Sequence, residues 1–226
     1  MANPSRPTFP QRPLAWAALI IFLGWGRTTA QDPPESPASE GAAIANHPYP
    51  RRVAAPPLGG DFQWLNTTQP LSLADLRGKF VLLDFWTFCC INCMHVLPEL
   101  KTLEHAYPDE LVVIGVHSAK FTGEQDLGKI REAVLRNEIE HPVVNDAKLT
   151  IWNRYGIQSW PTLVLVDPAG EAVWVGNGER KSEDLKAIID RGQPYYRRRG
   201  RWQPCDLQRA GWRHRRGRQA VCCGYK

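Results

Sequence analysis

The sequence predicts an α/β fold, a mixed central sheet with helices on both faces and a helical insertion, and three observations predict it. Phe80 to Trp86 is an apolar run broken only by Asp84, the pattern of a central strand covered on both faces. Cys93, Val96, Leu97, Leu100 and Leu103 then recur at helical spacing. Further on, Thr162 to Val166 and Glu171 to Val175 flank the turn Asp167-Pro168-Ala169-Gly170, which reads as an antiparallel hairpin. Strand, helix and strand followed by a hairpin and a helix describe a mixed sheet.

Taken in order, the chain opens with Arg6 and Arg12, an uncharged and mostly apolar stretch from Leu14 to Gly26, and small residues at Thr28, Thr29 and Ala30. This is the pattern of a secretory signal over 1–30, cut after Ala30. The stretch is shorter than the roughly 20 apolar residues of a spanning helix, so contact with a membrane is expected only if the signal stays uncleaved. Residues 31–60 are rich in Pro, Ala, Ser and Gly and read as a disordered spacer. A folded domain over 61–192 begins with Trp64-Leu65-Asn66 and the Leu71 to Leu76 segment as apolar anchors.

Within that domain the helix after the cysteines extends to about Ala106, with Pro98 expected to kink it. Leu111 to Val116 is a second buried strand. Thr122-Gly123-Glu124-Gln125 resembles a capping box for a helix carrying Leu127, Ile130 and Val134, the insertion. A short strand near Pro142 to Val144 and a helical turn from Leu149 to Tyr155 precede the hairpin. Ser182 then reads as the cap of a last helix with Leu185, Ile188 and Ile189.

At 226 residues and 43% hydrophobic content, the chain can bury one ordinary core. Its net charge of +5 is concentrated at one end: 11 Lys and Arg face one acidic residue between Arg191 and Lys226. The basic balance therefore belongs to a tail, 193–226, read as disordered, and no nucleic-acid partner is assigned to the folded part. After Tyr195-Tyr196 the pattern changes enough to suggest a frame-shifted or early-ended reading of a longer gene.

Six cysteines in an exported chain raise the question of a disulfide framework. The spacing argues against one. Cys89, Cys90 and Cys93 are crowded into one short stretch, whereas Cys205, Cys222 and Cys223 lie far away in the tail. Cys90-Ile91-Asn92-Cys93 is a pair of thiols two residues apart at the start of a helix. Unpaired backbone N–H groups and the helix dipole there favour a thiolate, and the pair can close into a disulfide.

Asp84-Phe85-Trp86 before Cys90-x-x-Cys93, Pro98 in the following helix, and Trp160-Pro161-Thr162 before a strand together resemble the thioredoxin superfamily. The signal, extension and insertion resemble exported thiol-disulfide oxidoreductases of the cytochrome c maturation type. The wording Trp64-Leu65-Asn66, Arg77-Gly78-Lys79 and Cys89-Cys90-Ile91-Asn92-Cys93-Met94-His95 is similar to the thioredoxin domain of NHL-repeat-containing proteins. The resemblance implies a thioredoxin-like fold over about 61–192. It implies that Cys90 attacks a substrate disulfide, that Cys93 resolves the mixed disulfide, and that Asp84 relays the resolving thiol's proton. It further implies a cis Pro161, preceded by Trp160, beside which an extended substrate pairs.

These readings make the chain a periplasmic or secreted monomer, an enzyme exchanging disulfides with protein thiols and recharged by another thiol protein. No nucleotide, flavin or haem motif is present, so no cofactor is assigned, and no metal. Ile91 and Asn92 place no imidazole between the cysteines, which favours a reductant or isomerase over a pure oxidase. Two alternatives stand beside this one. Thr87-x-x-Cys90 suits a thiol peroxidase of the peroxiredoxin type, and Cys89 with Cys93 and His95, His117 or His141 suits copper binding and delivery.

Overall fold

The computed structural model describes residues 46–200; the expected signal, the first part of the spacer and the tail beyond residue 200 lie outside the described residues. Seven strands form one sheet: β1 (Val53–Ala54), β2 (Gln63–Leu65), β3 (Phe80–Trp86), β4 (Leu111–His117), β5 (Val143–Asn145), β6 (Thr162–Val166) and β7 (Glu171–Asn177). Four helices accompany them: α1 (Ile91–Ala106), α2 (Leu127–Arg136), α3 (Thr150–Arg154) and α4 (Ser182–Arg198). The spatial order is β1-β7-β6-β3-β4-β5-β2. β3 runs parallel to β4 and β4 to β5, while β6 lies antiparallel to β3 and β7 to β6. This is the thioredoxin-like α/β fold that the sequence predicts.

Every residue of β3, β4 and β6 is buried, which is why their sequences lack polar alternation. Side chains still alternate between faces. Phe80, Leu82 and Trp86 of β3 pack with Cys93, Val96 and Leu100 of α1, Ile130 of α2, and Leu185 and Ile189 of α4. Val81, Leu83 and Phe85 join the opposite core with Ile151 and Trp152 of α3 and Leu71, Leu73 and Leu76. Asp84 is two residues from both Leu82 and Trp86, so its side chain shares their face, the one covered by the cysteine helix.

Two expected caps are corrected. Ser182 is the first residue of α4 rather than its cap; Lys181 occupies the cap and makes no side-chain capping bond. The N–H of Ser182, which has no intrahelical acceptor, instead donates to Glu99 Oε2 of α1 at 2.9 Å. Thr122–Glu124 forms a separate 3-10 turn, and α2 is capped by Asp126, whose carboxylate accepts from Lys129 N at 2.9 Å. Aspartate is the better N-cap of the two candidate segments, because its carboxylate reaches the orphan N–H groups directly.

Packing reaches further at both ends than 61–192. Tyr49 and Leu58 are buried, and β1 pairs with β7. Tyr49 Oη donates to Ile188 O of α4 at 2.8 Å, over Gly192, where a Cβ would collide with the tyrosine ring. The expected boundary at 192 falls inside α4, whose Tyr196 is buried and donates its hydroxyl to Asp167. Two tyrosines, Tyr49 and Tyr196, and Leu58 anchor these flanking segments through contacts far apart in sequence, which composition does not register.

Candidate redox site

β3 delivers the chain to the site and α1 leaves from it. Cys90 is the cap residue of α1, with extended backbone (φ −96, ψ 111), and its carbonyl accepts from Cys93 N at 3.1 Å and Met94 N at 3.2 Å. The turn before it is closed by Cys90 N donating to Thr87 O at 3.2 Å. Cys90 thus stands at the helix end whose N–H groups lack intrahelical partners, where negative charge is favoured.

The three cysteines are free thiols with graded accessibility: Cys89 exposed, Cys90 partly exposed, Cys93 buried. Burial pushes the Cys93 thiol far up, and a hydrogen bond with Cys90 and the charge of Asp84 push the same way. Cys93 is therefore a thiol that needs a base before it can act, whereas Cys90 can be approached from solvent. Burial also raises Cys89, assisted by its hydrogen bond to Glu124 and by that carboxylate's charge.

Opposite Cys90, the Trp160–Pro161 peptide is cis, as expected, and Cys90 Sγ lies 3.9 Å from Trp160 O. The Trp160 ring is fixed on two sides. Its Nε1 donates to Ser118 O at 3.0 Å, and it lies against Trp152 with centroids 4.2 Å apart.

Asp84 is fully buried, and neither carboxylate oxygen has a hydrogen-bond partner among protein atoms. Burial lifts its pKa to about 7, partly opposed by attraction to His141. A carboxyl with that value takes and gives a proton near neutral pH.

A second carboxylate at the site is one that sequence reasoning treated only as a capping residue. Glu124 is 4% exposed, yet it accepts from Thr87 Oγ1 at 2.7 Å, Cys89 N at 3.2 Å, Lys120 N at 2.9 Å and Phe121 N at 3.0 Å. Burial pushes its pKa up, but the bonds from Cys89 and Thr87 and from the backbone of Phe121 and Lys120 outweigh that and hold it below the usual range. It ties the segment after β4 to the turn that carries Cys90. No local signal marks this role, because the partners are 35 and 37 residues apart.

The histidines considered for copper are dispersed. His95 Nδ1 faces Glu179 at 3.1 Å on the surface, His117 is buried against Trp86 and Phe88, and His141 faces Glu104. Among the described residues, no set of three metal-ligating groups forms around the cysteines; the one such set is His47, Asp167 and Glu171. Its members are already engaged with Tyr196, Arg52 and the hairpin backbone.

A thioredoxin-like family model matches residues 78–172, which include Asp84, both cysteines of the pair and Pro161. NHL repeat-containing protein 2 of Gallus gallus is 50% identical over 153 residues, covering 66% of this chain but only 21% of that relative. Thioredoxin-like protein YneN of Bacillus subtilis is 30% identical over 121 residues, 53% of this chain and 69% of that protein. The solution structure of a thioredoxin-like protein in the oxidized form matches with a TM-score of 0.57 at 25% identity, covering 63% of this chain and 96% of the other.

Proposed function

Because the chain belongs to the thioredoxin-like family of thiol-disulfide oxidoreductases, we propose that it exchanges dithiol and disulfide with protein substrates through Cys90 and Cys93. One observation carries the reading: an accessible thiol at the helix cap, a buried thiol one turn deeper, and a buried carboxyl that acts on the buried thiol and has no hydrogen-bond partner.

In the reducing direction Cys90 attacks a substrate disulfide, forming a mixed disulfide and releasing the first substrate thiol. Cys93 then loses its proton to Asp84, and its sulfur attacks Cys90. The Cys90–substrate bond breaks, the Cys90–Cys93 bond forms, and the second substrate sulfur leaves as a thiolate, so two electrons pass to the substrate. An extended substrate segment lies beside Pro161, with Trp160 as its fixed backing. Ile91 is 66% exposed next to Cys90 and offers an apolar contact for such a segment.

The pair is reset by another dithiol protein. The location we propose, periplasmic or secreted, rests on the apolar segment from Leu14 to Gly26. Among the described residues, no helix is long and apolar enough to cross a membrane.

The test is an equilibrium of the full chain with glutathione redox buffers, read by thiol trapping. The reading expects one reversible disulfide that survives Cys89→Ser and disappears in Cys90→Ser and Cys93→Ser. A reversible pair that requires Cys89, or no pair, overturns it.

A further inference from the structure

Resting on the oxidoreductase reading above, we propose that His141 is a positioning and relay residue that carries the proton of Asp84 out to Glu104 and the solvent. Asp84 is enclosed: it is 0% exposed, and a proton taken from Cys93 has no direct way out. The structure offers one on the same face of the sheet. Gly115 of β4 sits directly opposite Asp84 in the strand pairing. Where a Gly115 Cβ would stand, Trp86 Nε1 is 2.9 Å and His141 Nε2 is 3.4 Å away.

Both Asp84 oxygens, Trp86 Nε1 and His141 Nε2 are buried without a protein partner. Two of these orphaned nitrogens meet over Gly115 and the orphaned carboxyl belongs to its strand partner Asp84; buried groups of this kind are ordinarily bridged by water. A side chain at position 115 would press on both nitrogens, so glycine keeps the passage open.

His141 has the chemistry of a relay. It is 3% exposed, and its Nδ1 lies 3.4 Å from Glu104 Oε2. Facing a carboxylate oxygen, Nδ1 is the ring nitrogen placed to donate, and Nε2 is turned toward the enclosed side. Protonation at Nε2 and release from Nδ1 moves one proton outward with no net change of charge and leaves the ring as its Nε2–H tautomer, which the inward run of the oxidising direction resets. Beyond it, a half-open cavity of about 290 Å³ is lined by His141 and Glu104 and rimmed by Lys101, His105, Glu138 and Glu140.

The groups facing this path are few. Cys93 of α1 feels the charge of Asp84, and Glu104 approaches His141 from the same helix. His117 of β4, two residues from Gly115 and on the same face, packs against the Trp86 and Phe88 rings with both nitrogens buried and unpartnered, and burial lowers its pKa to about 4, so it stays neutral near pH 7.

The protons balance with the exchange step. Cys93 gives one proton to Asp84 as its sulfur displaces the substrate thiolate from Cys90. Asp84 returns to the carboxylate by passing that proton across a bridging water to His141 Nε2, with which it makes no direct hydrogen bond, while the Nδ1 proton leaves through Glu104. In the oxidising direction the same path runs inward.

The experiment uses the full chain with Cys89, Cys205, Cys222 and Cys223 replaced by serine, reacted in reduced form with 5,5′-dithiobis(2-nitrobenzoate). Attack by Cys90 releases the first thionitrobenzoate and attack by Cys93 the second, so the two phases separate the two sulfurs. His141→Ala is expected to slow the second phase on the order of tenfold or more near pH 7. The first phase should stay unchanged, and added imidazole, entering the enlarged cavity, should restore the second. His141→Gln, which keeps the volume, should be equally slow and serves if the alanine variant fails to fold.

A second phase unchanged in either folded variant, an equal slowing of both phases, or slowing that imidazole leaves untouched in a folded alanine variant overturns the relay alone. A parent protein without a first phase overturns the oxidoreductase reading and the relay with it.

Discussion

Two buried carboxylates flank the cysteine turn, and they behave in opposite ways. Glu124 is 4% exposed and Asp84 0%, but Asp84 lies inside the central strand and Glu124 in the 3-10 turn after β4, so burial weighs more on Asp84. Glu124 receives four hydrogen bonds, and its pKa falls below the usual range. Asp84 receives none from the protein, and its pKa rises to about 7. The difference is depth together with the number of donors aimed at the charged form. A carboxylate surrounded by N–H and O–H groups is a fixed anion that holds a turn. A carboxyl without donors inside the central strand is instead held protonated up to about pH 7.

The strongest way to break that comparison is to remove the charge of Asp84. Its native pKa of about 7 lies above the ordinary carboxylate value, so between the two the folded state holds a proton that the unfolded state has lost. Stability therefore falls as pH rises through that window. Asp84→Asn is expected to stabilise the fold at pH 8 by on the order of 3–4 kcal/mol, with the advantage vanishing below pH 4. Urea unfolding at both pH values checks this. The same variant should slow Cys93-dependent resolution about a hundredfold near pH 7, leaving mixed-disulfide formation at Cys90 intact. In the wild-type protein that resolution step should weaken as pH falls below about 7, where Asp84 is already protonated.

Glu124 should respond with the opposite sign. Glu124→Ala strands Thr87 Oγ1 and three backbone N–H groups, two of them at the cysteine turn or beside it, and is expected to destabilise by about 3 kcal/mol. Chemical denaturation measures it, and the loss should shrink as acid neutralises the wild-type carboxylate. Thr87→Val removes one of the four donors and keeps the shape, so about 1 kcal/mol is expected from the same experiment. A Thr87→Val loss as large as that of Glu124→Ala would mean that the hydroxyl, not the carboxylate, organises the turn.

How much of this could be read from the chain follows the range of each interaction. β3, β4 and β6 are continuous apolar runs, and the run itself reports burial on both faces. Cys90 and Cys93 stand at a short, characteristic spacing after β3, and the resemblance carried by Asp84 and Trp160-Pro161-Thr162 added the rest of the candidate site's outline. The caps were not legible in the sequence. Ser182 and Thr122 fit local capping patterns, but α4 is capped by Glu99 across 83 residues, and Asp126 supplies the α2 cap.

The same reason hid Glu124 and His141. Each looks unremarkable beside its neighbours in sequence, and each acquires its chemistry from a partner brought by the sheet: Thr87 for Glu124, and Glu104 with the gap over Gly115 for His141. The N-terminal segment read as spacer because its apolar anchors are sparse. Tyr49 and Leu58 suffice once α4 and the sheet provide surfaces for them.

The most direct measurement of the central contrast is a pH titration of the side-chain carboxyl carbons by ¹³C NMR in the reduced protein, with Asp84→Asn and Glu124→Gln for assignment. The account predicts that Asp84 titrates near neutral pH and that Glu124 stays ionised until well into the acid range. Asp84 titrating like an exposed aspartate, or Glu124 taking up its proton near neutrality, would contradict it.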